Sequence, residues 1–324
     1  MFHLLLILFL LIATPCLVIA LAIWLGGPIQ PKPMKSVSEP FQSADFSGLP
    51  DIQRYSARDG AALAYRIYPL GENPRDISIV LIHGSSSHSG RIHPLAKKLA
   101  QSGYKVFSLD MRGHGESGTR GQIDYIGQLE EDLEDFLNTV HPPGKRILAG
   151  FSAGGGFTLR FAADHRSHFF DGYLLLAPFL SSEASTYRPS SGGWVSIGMA
   201  RIIGLMILNR LGVTFFNYLP VTNFALSPEV KPFLSPSYSF SLAVNFRPHL
   251  NYKADIASVN KPMTVLIGEK DDQFFSGRFA AEFEISKIPI KVSIIPELGH
   301  AEMVLSPIAF RHILSEIALL ENLP

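Results

Sequence analysis

Uninterrupted runs rich in branched apolar residues recur along the chain at residues 77–83, 104–110, 146–151, 172–177, 263–268 and 290–296. Runs of this length without polar alternation predict strands buried on both faces. Between them apolar positions fall at helical spacing over residues 91–102, 129–140, 154–165, 278–286 and 307–320. Strand and helix in alternation predict an α/β fold, with a mainly parallel sheet and helices on both faces. Residues 55–68, with Asp59-Gly60 inside, read as a hairpin that begins the sheet.

Two stretches break the alternation. Residues 4–25 carry no charge and are interrupted only by Thr14 and Pro15, a length that predicts a transmembrane helix. A cleaved signal peptide is the rival, with Ala20-Leu21-Ala22 as its A-x-A site, although no Lys or Arg precedes the apolar run. Residues 1–27 are therefore expected to be an N-terminal anchor or signal peptide. As a single-pass anchor they place the protein at a membrane, and Lys32 and Lys35 just beyond the span put the following domain on the cytoplasmic side. Residues 28–50, rich in proline, read as a tether, and 51–324 as one domain.

The second break is 181–252, whose 72 residues hold six prolines and eleven aromatics but only seven charged residues. It is expected to form an inserted cap. Within it residues 195–211 have a helical pattern that is apolar around most of its circumference, interrupted by Arg201, Asn209 and Arg210. That pattern suits a cap helix buried on the main domain, or a surface that meets lipid or acyl chains.

Composition narrows the classes of function. Lys and Arg total 28 and balance 28 Asp and Glu, with no charge run, so nothing marks a nucleic-acid partner. Charged residues are 17% of the chain, below the roughly 25% of typical soluble domains. Cys16 is the only cysteine, so no intramolecular disulfide forms.

The chemistry centres on Gly150-Phe151-Ser152-Ala153-Gly154, a G-x-S-x-G motif between an expected strand and an expected helix. With 27 glycines in 324 residues the motif alone is weak, and its context decides. In open parallel sheets functional groups gather beyond the carboxyl ends of the strands. Asp271 follows the 263–268 run and His300 the 290–296 run, giving the order Ser, Asp, His. A serine hydroxyl needs a base to take its proton, and imidazole has a suitable pKa. His300 would be that base, with a carboxylate holding its tautomer and stabilising the imidazolium. Asp272 and Glu269 stand near enough to compete with Asp271, and His300 could instead cap a nearby helix. The oxyanion would be met by the Ala153 N–H, which the elbow supplies, and by the Ser85 N–H, where Gly84 lets the backbone approach.

Other motifs point less far. Gly113-His114-Gly115-Glu116-Ser117-Gly118 matches G-x-G-x-x-G but does not open into a helix, so a tight loop beside the elbow is expected rather than a dinucleotide site. Gly154-Gly155-Gly156 lacks the Lys-Ser/Thr of a phosphate loop. The pairs His88/His93 and His165/His168 have no third ligand at suitable spacing, so no metal site is expected.

His83-Gly84, Ser89-Gly90-Arg91, residues 110–117 (DMRGHGES), 150–155, Gly268 to Asp271 and Gly299-His300 together resemble α/β-hydrolases of the monoacylglycerol lipase, lysophospholipase and serine-aminopeptidase-like group. The resemblance implies an α/β-hydrolase fold and Asp271 as the acid of the triad, from the group's G-x-x-D spacing. It also implies ester or thioester hydrolysis through an acyl-serine, without cofactor or metal. The expected function is a serine carboxylic ester hydrolase acting on lipid-like esters such as monoacylglycerols or lysophospholipids. The alternatives are a serine aminopeptidase-like peptidase, for which Glu183 and Glu229 are few acids to hold an ammonium, and a non-catalytic membrane-tethered binding protein.

Overall fold

The computed structural model describes residues 2–321; the side chains of residues 5–9, 12 and 35–38, Lys35 among them, lie outside the described set. In chain order the elements begin with helix α1 (Phe2–Leu25) and α2 (Lys35–Gln42), then strands β1 (Ile52–Ser56), β2 (Ala62–Tyr68) and β3 (Ile77–Ile82). Next come α3 (His93–Gln101), β4 (Lys105–Leu109), α4 (Gln128–Val140), β5 (Lys145–Phe151), α5 (Ala153–Ala162) and β6 (Gly172–Leu176). The inserted region holds β7 (Val195–Ile197), α6 (Met199–Arg210), β8 (Pro220–Phe224), β9 (Ser237–Ser239), α7 (Phe240–Asn245) and α8 (Tyr252–Ser258). The main domain closes with β10 (Met263–Gly268), α9 (Phe279–Phe283), β11 (Lys291–Ile295) and α10 (Pro307–Glu321).

Among the described residues the main sheet has eight strands in the order β1-β2-β4-β3-β5-β6-β10-β11. The hairpin β1–β2 and the pair β2–β4 are antiparallel, and every later pair is parallel. Burial on both faces explains the unbroken apolar runs. In β3, Val80 and Ile82 join a core with Phe136 of α4, Phe157 of α5 and Phe279 of α9. The intervening Ile79 and Leu81 join a second core with Leu95 of α3 and Ile313 of α10. Such side chains contribute roughly 1.5–3 kcal/mol each when fully buried.

Register brings the strand ends level. Ile82 pairs with Gly150, Gly150 with Leu175, Leu176 with Leu266, and Gly268 with Ile295. The loops after β3, β5, β10 and β11 therefore open on one edge of the sheet, where Ser85, Ser152, Asp271 and His300 lie.

Three expectations are revised. Among the described residues no helix is long and apolar enough to cross a membrane, so the transmembrane reading of residues 4–25 is unsupported. The end of α1 is instead built into the protein: Ile23, only 4% exposed, packs with Leu205 and Val221. Arg201 donates through Nε to the Ile23 carbonyl at 2.6 Å and through Nη2 to that of Trp24 at 3.2 Å. A guanidinium at a helix C-terminus satisfies carbonyls that lack intrahelical donors, which gives the charge inside the apolar 195–211 pattern its place.

Secondly, residues 195–211 are not one helix. Val195–Ile197 form an edge strand on β8, because Gly198 separates them from α6. Thirdly, residues 28–50 lie on the domain rather than forming a free tether. The Met34 N–H donates to the Ala225 carbonyl at 3.0 Å, Gln30 Nε2 donates to that of Phe224 at 3.0 Å, and Phe41 stacks beneath Arg91 at 3.9 Å.

Candidate active site

The turn between β5 and α5 determines the geometry. Ser152 sits at φ 55° and ψ −117°, a conformation that costs a non-glycine residue about 1–3 kcal/mol. Backbone bonds hold it there: its N–H donates to the Leu176 carbonyl at 2.8 Å, and its carbonyl accepts from the N–H groups of Gly156 and Phe179, each at 3.0 Å. A Cβ on Gly150 would lie 2.2 Å from the Gly154 carbonyl oxygen, and one on Gly154 would lie 2.3 Å from that of His83. Contacts this short exclude any larger residue without backbone movement, so the spacing of glycines about Ser152 is steric in origin.

Asp271 and His300 meet as a pair. His300 Nδ1 and Asp271 Oδ2 are 2.7 Å apart, and Asp271 Oδ1 accepts from the N–H groups of Gln273 at 2.8 Å and Phe274 at 2.9 Å. Asp271 is 1% exposed and His300 5%, whereas Glu269 is exposed and accepts from the N–H of Glu297. The structure therefore gives the imidazole contact to Asp271 rather than Glu269 or Asp272. The carboxylate can only accept here, which puts the proton on Nδ1 and leaves Nε2 with its lone pair. Nε2 is buried with no hydrogen-bond partner among the described residues. The rings of Phe151 and Phe274, with centroids 4.9 and 5.2 Å away, hold the imidazole plane.

Two cavities meet at Ser152, a larger one of about 330 Å³ and a smaller one of about 50 Å³ that His300 also lines. Ser85 and Trp194 border both. Ala153 opens α5, where the first N–H groups have no intrahelical acceptor and the helix dipole is positive. Gly84 brings its loop against the elbow: a Cβ there would lie 3.3 Å from that of Ser152.

The loop after β3 is braced by the cap, through residues that no sequence pattern singled out. Tyr238 Oη accepts from the Ser86 N–H at 2.5 Å and stands 2.5 Å from His114 Nε2, while His114 Nδ1 is 3.3 Å from the Arg112 carbonyl. One tautomer satisfies all of these, with the His114 Nδ1–H donating to Arg112 and Nε2 accepting from the tyrosine. Trp194 Nε1 donates to Ser85 Oγ at 3.0 Å, and the Ser235 N–H donates to the Ser86 carbonyl at 2.9 Å. The region around His114 is thus a structural loop. Asp110 ties its two sides together, accepting from the N–H groups of Ser89 at 2.7 Å and Glu116 at 2.9 Å. Tyr238 and Trp194 lie in the aperiodic cap, and their only signal was its richness in aromatics.

Burial depresses the pKa of His83 and His114, the latter strongly, and holds His88 down to about 4. Among the described residues no group of three or more His, Cys, Asp or Glu is placed to hold a metal ion. His93 Nδ1 faces Tyr68 Oη and its Nε2 the Ser47 carbonyl, both at 3.1 Å, while the His88 Nδ1 accepts from the Gly90 N–H.

A strained serine between strand and helix, a buried carboxylate–histidine pair and this strand order define an α/β-hydrolase. The family described as serine aminopeptidase, S33, matches residues 73–274, more than half of the chain, and the protein belongs to it. A monoacylglycerol lipase of Mycolicibacterium smegmatis is 36% identical over 110 residues, which cover 32% of this chain and 38% of that protein. Human monoglyceride lipase is 28% identical over 172 residues, 52% of this chain and 54% of that one. The chain thus spans about half, or less, of these relatives' lengths. A soluble variant of monoglyceride lipase from Saccharomyces cerevisiae, solved with a substrate analogue, superposes with a TM-score of 0.62 at 19% identity, covering 90% of this chain and 98% of that one. The monoacylglycerol lipase of Paleococcus ferrophilus gives 0.60 at 19% identity, covering 80% and 98%. At such identity these structures establish the fold.

The neutral buried imidazoles carry a pH signature. A histidine whose folded pKa is depressed stabilises the fold above its unfolded pKa, near 6.5, and that stability is lost as pH falls towards the folded value. For His88 the window runs from about 6.5 down to about 4. Urea melts are expected to show stability declining between pH 7 and pH 5, with a shallower decline in His88→Asn. Stability that is flat across this interval, or an unaltered slope in the variant, contradicts the assignment.

Proposed function

We propose that this hydrolase cleaves carboxylic esters through an acyl-serine formed on Ser152. Its substrates would be lipid-like esters such as monoacylglycerols or lysophospholipids. The observation that carries the reading is the buried Asp271–His300 pair, 2.7 Å apart, in which Nε2 has no hydrogen-bond partner among the described residues and His300 lines a cavity that Ser152 shares.

In this scheme His300 Nε2 takes the Ser152 hydroxyl proton as the oxygen attacks the ester carbonyl, and Asp271 stabilises the imidazolium. The N–H groups of Ser85 and Ala153 meet the developing oxyanion. Collapse of the tetrahedral adduct expels the alcohol, which receives the proton from His300. Water, deprotonated by the same imidazole, then releases the acid and restores the serine. In this scheme the acyl group occupies the cavity of about 330 Å³, where Ile197, Met199, Ile202, Met206 and Val221 supply apolar wall, and the alcohol leaves on the side of the cavity of about 50 Å³. Peptide cleavage from an amino terminus would need acidic groups for the ammonium. Among the described residues Glu183 is the one acidic side chain in the wall of the larger cavity, which Arg247 also lines.

Membrane attachment through α1 belongs to the same proposal. Leu17, Val18, Leu21 and Trp24 are exposed on α1, as are Met199, Ile203 and Ile207 on the α6 helix that packs against it. Apolar surface shared by two packed helices supports attachment to a lipid interface.

Turnover is expected to rise with acyl length across a panel of esters that includes monoacylglycerols, and to vanish in Ser152→Ala without loss of folding. Residual wild-type activity in that variant refutes the nucleophile, and a preference for the shortest chains refutes the lipid-like substrate. For attachment, the protein is expected to float with phospholipid vesicles and the variant Leu17→Lys/Leu21→Lys to stay in solution. Equal flotation of both removes α1 from the proposal.

A further inference from the structure

Arg247 lies within the inserted region, between α7 and α8, in a position that ester cleavage by the triad does not require. It follows Phe246, whose ring packs among His83, His114 and Phe157 under the elbow, and it lines the larger cavity together with Ser152, Phe179 and Ser181. Its guanidinium carbon stands 5.2 Å over the Phe179 ring, and its Nη2 reaches Ser181 Oγ only at 3.4 Å. The Nε is buried with no hydrogen-bond partner among the described residues. Burial lowers the Arg247 pKa, the Arg160 charge lowers it further, and the Glu183 carboxylate acts in the opposite sense. Glu183, however, is exposed, and its own N–H turns to Ser181 Oγ.

The contrast with the neighbouring arginine is informative. Arg160 is buried and has Glu130 at 2.5 Å as its counter-charge, and Asn245 in turn bonds to that carboxylate. Arg247 is half-buried and has no such carboxylate at ion-pair distance among the described residues, and its planar set of donors suits a carboxylate or phosphate. Apart from Arg247 and Glu183 the larger cavity is walled mainly by apolar and hydroxyl side chains, a setting in which placed charge sets ligand orientation.

We infer that Arg247 is a specificity residue that binds an oxyanion carried by the substrate inside the larger cavity, so that the preferred ester is an anionic amphiphile. The inference rests on the ester-hydrolase reading for what is cleaved, but not for what is bound. The oxyanion has two sources: a carboxylate at the far end of the acyl chain, or a phosphate on the alcohol with the ester reversed between the cavities. Phe179 packs against the guanidinium on one side, and Arg247 lines the cavity beside it. Ser181 Oγ, already within reach of Nη2, is positioned as a second donor to the same oxyanion.

Binding separates this inference from catalysis. Calorimetric titration of wild-type protein with decyl phosphate, decanoate and decanol is expected to give affinities for the anions about 10- to 100-fold above that for the alcohol, the range of one charge-assisted hydrogen-bond pair. Arg247→Gln is expected to remove that margin, and Arg247→Lys, which keeps the charge, to restore part of it. Thermal melts identify a variant that has merely lost its fold. Equal affinity of wild-type protein for anions and alcohol overturns the inference whether or not any ester is hydrolysed, and so does an undiminished margin in folded Arg247→Gln.

Kinetics then assign the source of the oxyanion. With one acyl length, the neutral glycerol ester is compared with the same acyl group on glycerol 3-phosphate and with the glycerol monoester of a matching dicarboxylic acid. A wild-type kcat/KM advantage, reduced by Arg247→Gln, for the dicarboxylic ester places the anion on the acyl chain; for the phosphate ester it places the anion on the alcohol. Anion binding without turnover of any of the three leaves the Arg247 site standing and refutes the hydrolase reading, whereas turnover without anion preference does the reverse.

Discussion

A serine at positive φ, fixed between the end of a central strand and the first turn of a helix, is the constraint on which the rest of this structure depends. The backbone at Ser152 is held by bonds to Leu176, Phe179 and Gly156, so the strain is met by the neighbouring strand and the loop that follows it. Gly150 and Gly154 are small because carbonyl oxygens lie where their side chains would be. With β5 between β3 and β6, the turn projects its hydroxyl over the edge of the sheet, and level registers bring the loops bearing Ser85, Asp271 and His300 to that edge. Position in the sheet, rather than proximity in sequence, assembles the site.

What the sequence made legible follows from this. Strands buried on both faces must be apolar throughout, so the first five runs from residue 77 onward coincide with β3, β4, β5, β6 and β10 to within one residue at either end, while the sixth coincides with β11, a partly exposed edge strand. The hairpin of β1 and β2 was visible for a related reason, since Asp59-Gly60 marks a turn chemically. Choosing among Asp271, Asp272 and Glu269 was beyond residue type alone, because three neighbouring carboxylates differ only in burial and direction. The resemblance favoured Asp271, and its two backbone donors with the His300 ring give the physical reason.

The cap was the least legible part. Its sheet of three short strands and its small helices take their form from packing on the domain, not from any period of their own. Residues 195–197 resembled the start of a helix because a three-residue edge strand is too short to show alternation against the apolar helix that follows. The prolines of residues 28–50 suggested a tether, yet proline is as compatible with a segment laid along a surface and fixed by carbonyl contacts. The cap also does more than cover. Tyr238, Trp194 and Ser235 bond the loop that carries Ser85, so substrate enclosure and the position of the proposed oxyanion donor are mechanically linked. Arg247 adds a charge to the same enclosure.

Whether Ser152 is a nucleophile activated by the Asp271–His300 pair is tested most directly by a fluorophosphonate probe followed by intact-mass and peptide mass spectrometry. One adduct per chain, located at Ser152, absent in Ser152→Ala and formed much more slowly in His300→Gln, is the predicted result. No adduct on the folded protein, or one at another serine, would contradict it.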